Sequence, residues 1–258
     1  MKIVILTSNG LRHKFLANSL SSHVDDTLVI SECVSNDFIY TNSQNITNID
    51  NHFLLRSETE KTFFPNNDFF VSKTLPIIYK EVNLDYVYQV IKNFKPDLMV
   101  VFGSSIIRDP LLSLLPAGNI INLHLGLSPY YRGSGTNFWP FVNNELEYLG
   151  STILHINSGI DTGDIICHVR PMINDKDNVH TIGCKIIQTS VVSLIKIIQL
   201  FKEGKKLNRI KQWDVKERYY KTKDFDDDAL LTYTTNLKNG VVSNYLKQDK
   251  KNIKLVDL

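Results

Sequence analysis

Residues 83–123 read NLDYVYQVIKNFKPDLMVVFGSSIIRDPLLSLLPAGNIINL. Asn83 is a plausible helix cap, and behind it Leu84, Val87, Val90, Ile91 and Phe94 recur at helical spacing, so a helix ending before Pro96 is predicted. The run LMVVF that follows is apolar throughout and stopped by Gly103, the pattern of a strand covered on both faces, as in a parallel sheet. After a loop rich in Ser, Pro and Gly, residues 120–123 give the next strand. Helix and buried strand alternate, which predicts an open, mostly parallel α/β sheet.

The same alternation extends in both directions. Residues 3–6 form a short buried run broken by Ser8, Asn9 and Gly10, and Leu11, Phe15, Leu16 and Leu20 then recur at helical spacing. A second strand is expected at 27–31. Residues 32–80, rich in Asn, Ser, Thr and Phe without a sustained period, predict loops with one short helix. Towards the C-terminus, residues 152–156 and 165–169 read as a strand pair, and the stretch from about Val179 to Lys202 as a long helix. Residues 1–205 are expected to form the catalytic domain and 206–258 a small C-terminal extension, mildly basic with 13 Lys+Arg against 8 Asp+Glu from residue 205 on.

At 258 residues the chain is long enough for a substantial core, and 43% hydrophobic with 22% charged residues excludes disordered and fibrous classes. The 29 basic and 27 acidic residues leave a net charge of +2, so nothing marks the chain as a nucleic-acid binder. Cys33, Cys167 and Cys184 are odd in number and widely spaced, which suits a reducing compartment. The opening MKIVILTSNG has only four apolar residues in a row before Thr7, too few for a signal-peptide core. No stretch is expected to supply the roughly 18 apolar residues of a membrane span. A soluble cytoplasmic protein is expected, with no membrane partner.

Seven of the twelve glycines fall between 118 and 163, and six of the eight prolines between 96 and 171, which marks the central third as loop-bearing. Within it, Asn122 and His124 lie two apart on a strand and so share a face at its carboxyl end, where open α/β sheets place ligands. Asp161, in GIDTGD, falls in a turn between two strands and orients His124 if the turn folds alongside. Amide, imidazole and carboxylate together suit acyl transfer to an amine, with donors for an oxyanion and a group to take a proton. A lone Asn-x-His is more often a histidine satisfying backbone groups at a strand end.

The first turn, with Asn9, Gly10, Arg12 and His13, offers a helix N-terminus and positive charge to a phosphate, or equally a plain capped turn. Zinc binding by His155, Cys167 and His168 is not expected, since adjacent strand residues point oppositely. Neither GxGxxG nor GxxxxGK[ST] is present. Phe138 and Trp139 are expected in the core.

The run 121–133, INLHLGLSPYYRG, resembles the Asn-x-His…Pro-x-Tyr-Arg-Gly signature of formyltransferases that use 10-formyltetrahydrofolate. Asn144-Glu145, Gly150-Ser151-Thr152 and Ile160-Asp161-Thr162-Gly163-Asp164 keep that family's order, as does the upstream stretch 97–112. The resemblance spans about residues 1–205. It implies a Rossmann-like α/β domain with helices on both faces of the sheet and Asn122, His124 and Asp161 as the catalytic trio. It also implies a folate pocket around Phe102, Ile106, Ile107 and Arg108, closed by Asn157, Ser158 and Ile160, and no metal. Asn9, Gly10, Arg12, His13, Tyr131 and Arg132 are expected on the acceptor side.

Two departures are visible. Members often read His-Gly-Ser-Leu-Leu-Pro where this chain has His124-Leu125-Gly126-Leu127-Ser128-Pro129, and Tyr130 stands where lysine is frequent, at the expected mouth of the site. Among subfamilies the chain is most similar to the sugar N-formyltransferases. These formylate the amine of a nucleotide-linked amino sugar, as in O-antigen and lipopolysaccharide biosynthesis, and a homodimer is a fair expectation. Methionyl-tRNA and glycinamide ribonucleotide formyltransferases are the alternatives, and a non-catalytic folate- or nucleotide-binding module is a third.

Overall fold

The computed structural model describes residues 1–33, 47–216, 218–249 and 251–258. Seven strands form one sheet: β1 (Lys2–Ser8), β2 (Asp26–Cys33), β3 (Lys73–Ile78), β4 (Leu98–Phe102), β5 (Ile120–His124), β7 (Ser151–His155) and β8 (Ile165–Val169). They run in the order β3-β2-β1-β4-β5-β7-β8. The first five are parallel. β7 is antiparallel to β5, and β8 to β7. This is the expected open, mostly parallel Rossmann-like sheet. Its strand order reverses between β1 and β4, so a crevice opens at their carboxyl ends.

Helices cover both faces because the strands are apolar on both. On one side α1 (Leu11–Ser21) and α5 (Val179–Lys202) bury Leu16, Leu20, Ile187 and Leu194 against Ile3, Val100, Leu123 and Ile153. On the other, α3 (Asp85–Phe94) buries Val87 and Ile91 against Val4, Leu6, Met99 and Val101. α5 starts at an Asn178–Thr181 capping box. Contrary to the sequence expectation, this helix is long and apolar enough by length and composition to cross a membrane, yet half of its apolar window is buried here against sheet and helices.

Three expectations need correction. Asn83 does not cap α3: Leu84 holds that position, and the Asn83 side chain instead donates to the Ile106 carbonyl (2.8 Å) and accepts from the Arg108 amide (2.8 Å). Leu84 and Val90, placed on the apolar stripe, are 47% and 37% exposed. The stretch 32–80 holds more structure than expected: α2 (Asn48–Phe63) spans 16 residues and β3 is an edge strand. α2 escaped because it buries only Glu60 and carries Leu54 and Leu55 exposed, and β3 because Pro76 breaks a strand pattern everywhere but at an edge. Residues 34–46 of that stretch lie outside the described residues.

Beyond α5 the chain returns to the catalytic end. β6 (Tyr131–Gly133) pairs in parallel with β9 (Arg218–Tyr220). Helices α6 (Asp227–Lys238) and α7 (Val241–Lys247) contribute Leu230, Tyr233, Val241 and Val242 to a third apolar cluster. The cluster also holds Tyr131, Val179, Ile182 and residues of the short helix α4 (Trp139–Val142). The outer edge of β8 is covered too: Ile210 bridges Ile165, and the His168 and Val256 backbones meet at 2.7 Å.

Candidate active site

β5 ends at His124, and residues two apart on it share a face, so Asn122 and His124 present their side chains together. The turn after β7 brings Asp161 between them. Asn122 Nδ2 donates to Asp161 Oδ1 at 3.2 Å, and His124 Nδ1 lies 3.2 Å from Asp161 Oδ2. One carboxylate thus holds both other members of the expected trio. His124 Nε2 faces the Tyr131 carbonyl at 3.2 Å, so each ring nitrogen stands within hydrogen-bond reach of an oxygen. Asn122 keeps a second N–H that donates to no described residue.

Asp161 has φ of +51°, a left-handed conformation that an aspartate tolerates better than most residues. Gln212, from the segment after α5, fixes it there by donating to the carbonyls of Asp161 (2.7 Å) and Gly163 (3.0 Å), and Arg132 donates to Gln212 at 2.8 Å. Sequence reasoning missed Gln212, whose role depends on a contact 51 residues away. Gly126 is required by crowding, since a Cβ there would stand 2.6 Å from His124 Nε2. That supplies a reason for the altered loop after His124: its glycine sits against the imidazole itself.

Two cavities meet at this trio. The smaller, about 210 Å³, is lined by Val101, Ile106, Ile107, Leu154, Asn157 and Ile160, with Asn122 and Asp161 on its wall. The larger, about 580 Å³, also has Asn122 and Asp161 on its wall, together with His124. Ser104 is the third residue common to both. The loop that forms the smaller cavity is tied down by Asn83 and by buried Glu32, which accepts from the amides of Ser105 (2.6 Å) and Lys80 (2.9 Å).

The remaining expected residues divide. Ile106, Ile107, Asn157 and Ile160 line the smaller cavity, as expected of the folate side. Arg108 and Ser158 do not: both are exposed, and the Arg108 backbone is engaged, its amide donating to Asn83 and its carbonyl accepting from Leu111 and Leu112. Phe102 lines the larger cleft instead, where the ring of His13 packs on it at 4.9 Å. Arg12 and His13 also line that cleft; Asn9 and Gly10 do not, although Gly10 is the N-cap of α1.

Tyr131 and Arg132 line neither cavity. The Tyr131 ring points into the third core, where its hydroxyl donates to Glu145 at 2.5 Å, and burial followed by that carboxylate pushes the phenol above its usual range. Arg132 spends its guanidinium on Gln212. Tyr130 turns from the mouth to donate to the Lys254 carbonyl at 3.0 Å. Among the described residues no group of three or more His, Cys, Asp or Glu is positioned to hold a metal.

Three further groups on the larger cleft were missed by sequence reasoning: His52 and Arg56 on α2, and His180 at the start of α5. Burial and Arg56 push His52 down to about 4; burial, His52 and the arginines Arg56 and Arg12 push His180 down to about 3. His13 is likewise lowered to about 3, by burial and then Arg12 and Arg56. Both histidines of the His52–His180 pair are therefore neutral at pH 7. From the C-terminal segment, Lys221, Thr222 and Phe225 complete the cleft.

An amide, an imidazole and a carboxylate thus meet at the carboxyl end of the sheet, between two ligand-sized cavities. A family profile described as Formyl transferase matches residues 1–198, and the chain belongs to that family. The chain is 35% identical over 123 residues to the methionyl-tRNA formyltransferase of Desulforamulus reducens, covering 47% of this chain and 38% of that one. It thus spans less than half the length of the curated relatives it matches.

Among solved structures, a 4-N formyltransferase from Francisella tularensis superposes with a TM-score of 0.59 at 20% identity, covering 91% of this chain and 87% of that one. The N-formyltransferase of Helicobacter canadensis, in complex with folinic acid and dTDP-3-aminofucose, gives 0.55 at 18% identity, covering 88% and 73%.

Proposed function

We propose that the protein transfers the formyl group of 10-formyltetrahydrofolate to the amine of a nucleotide-linked amino sugar. The observation that carries this reading is the position of Asn122 and Asp161 on the wall common to both cavities, with His124 beside them. A donor bound on one side and an acceptor on the other would react at the trio. The smaller cavity, with aliphatic and polar side chains in equal number and held by backbone ties, suits a pterin. The larger, wider and positively charged, suits a nucleotide sugar. The fold likeness to a sugar-bound N-formyltransferase reaches across 88% of the chain, into the C-terminal segment, and supports the sugar class over the tRNA class.

In this reading the acceptor nitrogen attacks the formyl carbon, a C–N bond forms and the carbonyl electrons move onto oxygen. The free N–H of Asn122 donates to that oxyanion, and His124 Nε2 turns from the Tyr131 carbonyl to donate beside it, each donor being worth about 10²–10³ in rate. Collapse breaks the bond between the formyl carbon and N10. One proton leaves the amine and one arrives at N10; His124 gives the second and is recharged by the first, with Asp161 keeping the ring aimed.

The test is formylation by purified protein given 10-formyltetrahydrofolate and a panel of nucleotide-linked amino sugars beside initiator Met-tRNA. Formamido sugar is the expected product. Exclusive formylation of the tRNA, or saturable ligand binding with no product, would overturn the reading.

A further inference from the structure

One wall of the larger cleft takes no part in the transfer chemistry. There α1 and α2 bring two guanidinium groups to one carboxylate: Arg12 Nε donates to Glu60 Oε1 at 2.7 Å, and Arg56 Nε lies 3.7 Å from the same oxygen. Glu60 is 9% exposed and Arg56 45%. Two cations on one anion leave a unit of positive charge facing the cleft. One turn before Arg56, His52 meets His180 of α5, with ring centroids 4.5 Å apart. Next to Arg12, His13 Nδ1 is buried with no hydrogen-bond partner.

Each of these groups makes its neighbours worse cations, so folding gains little from gathering them. Apolar residues of similar size would pack at least as well. An anion in the cleft reverses the balance: it offsets the uncompensated charge and accepts hydrogen bonds from arginine forks and imidazole N–H groups. The arginine fork matches the oxygens of a phosphate, and the first turn of α1 adds the favourable end of a helix dipole beside it.

We propose that Arg56, with Arg12, His52 and His180, forms a phosphate-binding subsite that holds the nucleoside-diphosphate end of the acceptor. This deepens the reading above and rests on it. The subsite is assembled from α1, α2 and α5 and leaves Asn122, His124 and Asp161 clear for the amine. Arg56 is its most accessible member and reaches Glu60 only at 3.7 Å, so it can turn to a phosphate without breaking the closer Arg12–Glu60 pair.

The experiment measures dissociation constants by calorimetry for UDP, dTDP and GDP, for inorganic pyrophosphate, for a short RNA and for 5-formyltetrahydrofolate. It compares the parent protein with Arg56→Gln, Arg56→Lys and His52→Gln. At least one nucleoside diphosphate is expected to bind the parent, and Arg56→Gln to weaken it about tenfold to a hundredfold, the loss of one charge-assisted hydrogen bond. Pyrophosphate is expected to weaken in parallel, Arg56→Lys to recover part of the loss, and folate affinity to stay within about twofold.

Unchanged diphosphate affinity in Arg56→Gln overturns the subsite, as does an equal loss of folate affinity, or a parent that binds RNA but no nucleoside diphosphate. A nucleotide-linked sugar formylated with equal KM by parent and Arg56→Gln would refute the subsite while leaving the proposed reaction standing. A parent that binds nucleoside diphosphate through Arg56 but formylates no sugar would do the reverse.

Discussion

The two cavities on either side of Asp161 are built in different ways. Apart from Asn122, the smaller is made of two stretches, residues 101–107 and 154–162, and half of its side chains are aliphatic. The larger draws on α1, α2, the ends of β4 and β5, the loop after β5, the start of α5 and the C-terminal segment, and it carries the charge. A pocket made from two local stretches leaves its trace in a local motif. A pocket assembled from seven places does not. One family can therefore keep one donor while its acceptor side varies with the packing of distant segments.

The largest effect is expected where the two cavities meet. Asp161→Asn and His124→Gln should each lower kcat by about 10²–10⁴ with the KM of either substrate little changed, because the trio sits at the shared wall and acts on the reacting atoms. A steady-state comparison checks this; loss confined to one KM would assign the residue to that pocket instead. Next comes a change meant for the smaller side alone. Asn157 Oδ1 accepts from Gly159 N (3.0 Å) and Thr162 Oγ1 (2.9 Å), shaping the turn that carries Asp161. Asn157→Ala should raise the folate KM about tenfold and leave nucleoside-diphosphate affinity as it was. If both affinities fell together, the cavities would not be separable.

The larger side should announce itself in the pH dependence of stability. His52 and His180 lie at about 4 and about 3 in the folded chain, against an ordinary value near 6.5 when unfolded. Between those values the unfolded chain binds more protons, so stability falls as pH drops from about 6.5 towards 4. Thermal melts in that window should show the decline, and His52→Gln should flatten it. Excess pyrophosphate, if the anion subsite is right, should flatten it too. The smallest effect is expected from Asn83→Ala, which unties the Ile106–Arg108 loop and should raise the folate KM only about threefold.

Much of this molecule was written locally. LMVVF and IINLH read as buried parallel strands because helices cover both faces of them; strand periodicity put Asn122 and His124 on one face, and the resemblance to the formyltransferases joined Asp161 to them. What sequence could not reach was tertiary. α2 has no apolar stripe, since it packs by Glu60 and by ring contacts of His52 and Phe53 rather than by a row of leucines. Asn83 looks like a cap, but its amide serves a loop 23 and 25 residues away. The aromatic hydroxyl of Tyr131 sits in a signature motif yet faces the core, because β6 pairs with β9 and turns the ring inward. Gly133 marks that pairing: φ is +87°, and a Cβ there would stand 2.1 Å from the Tyr220 carbonyl oxygen, so no side chain fits.

The most direct test is a crystal structure with 5-formyltetrahydrofolate and a nucleoside diphosphate bound together. The account predicts the pterin between Ile107 and Ile160, the formyl oxygen within hydrogen-bonding range of Asn122 and His124, and the diphosphate on Arg56 across the Asp161 wall. A pterin seated among Arg56, His52 and His180, or a formyl group pointing away from Asn122, would contradict it.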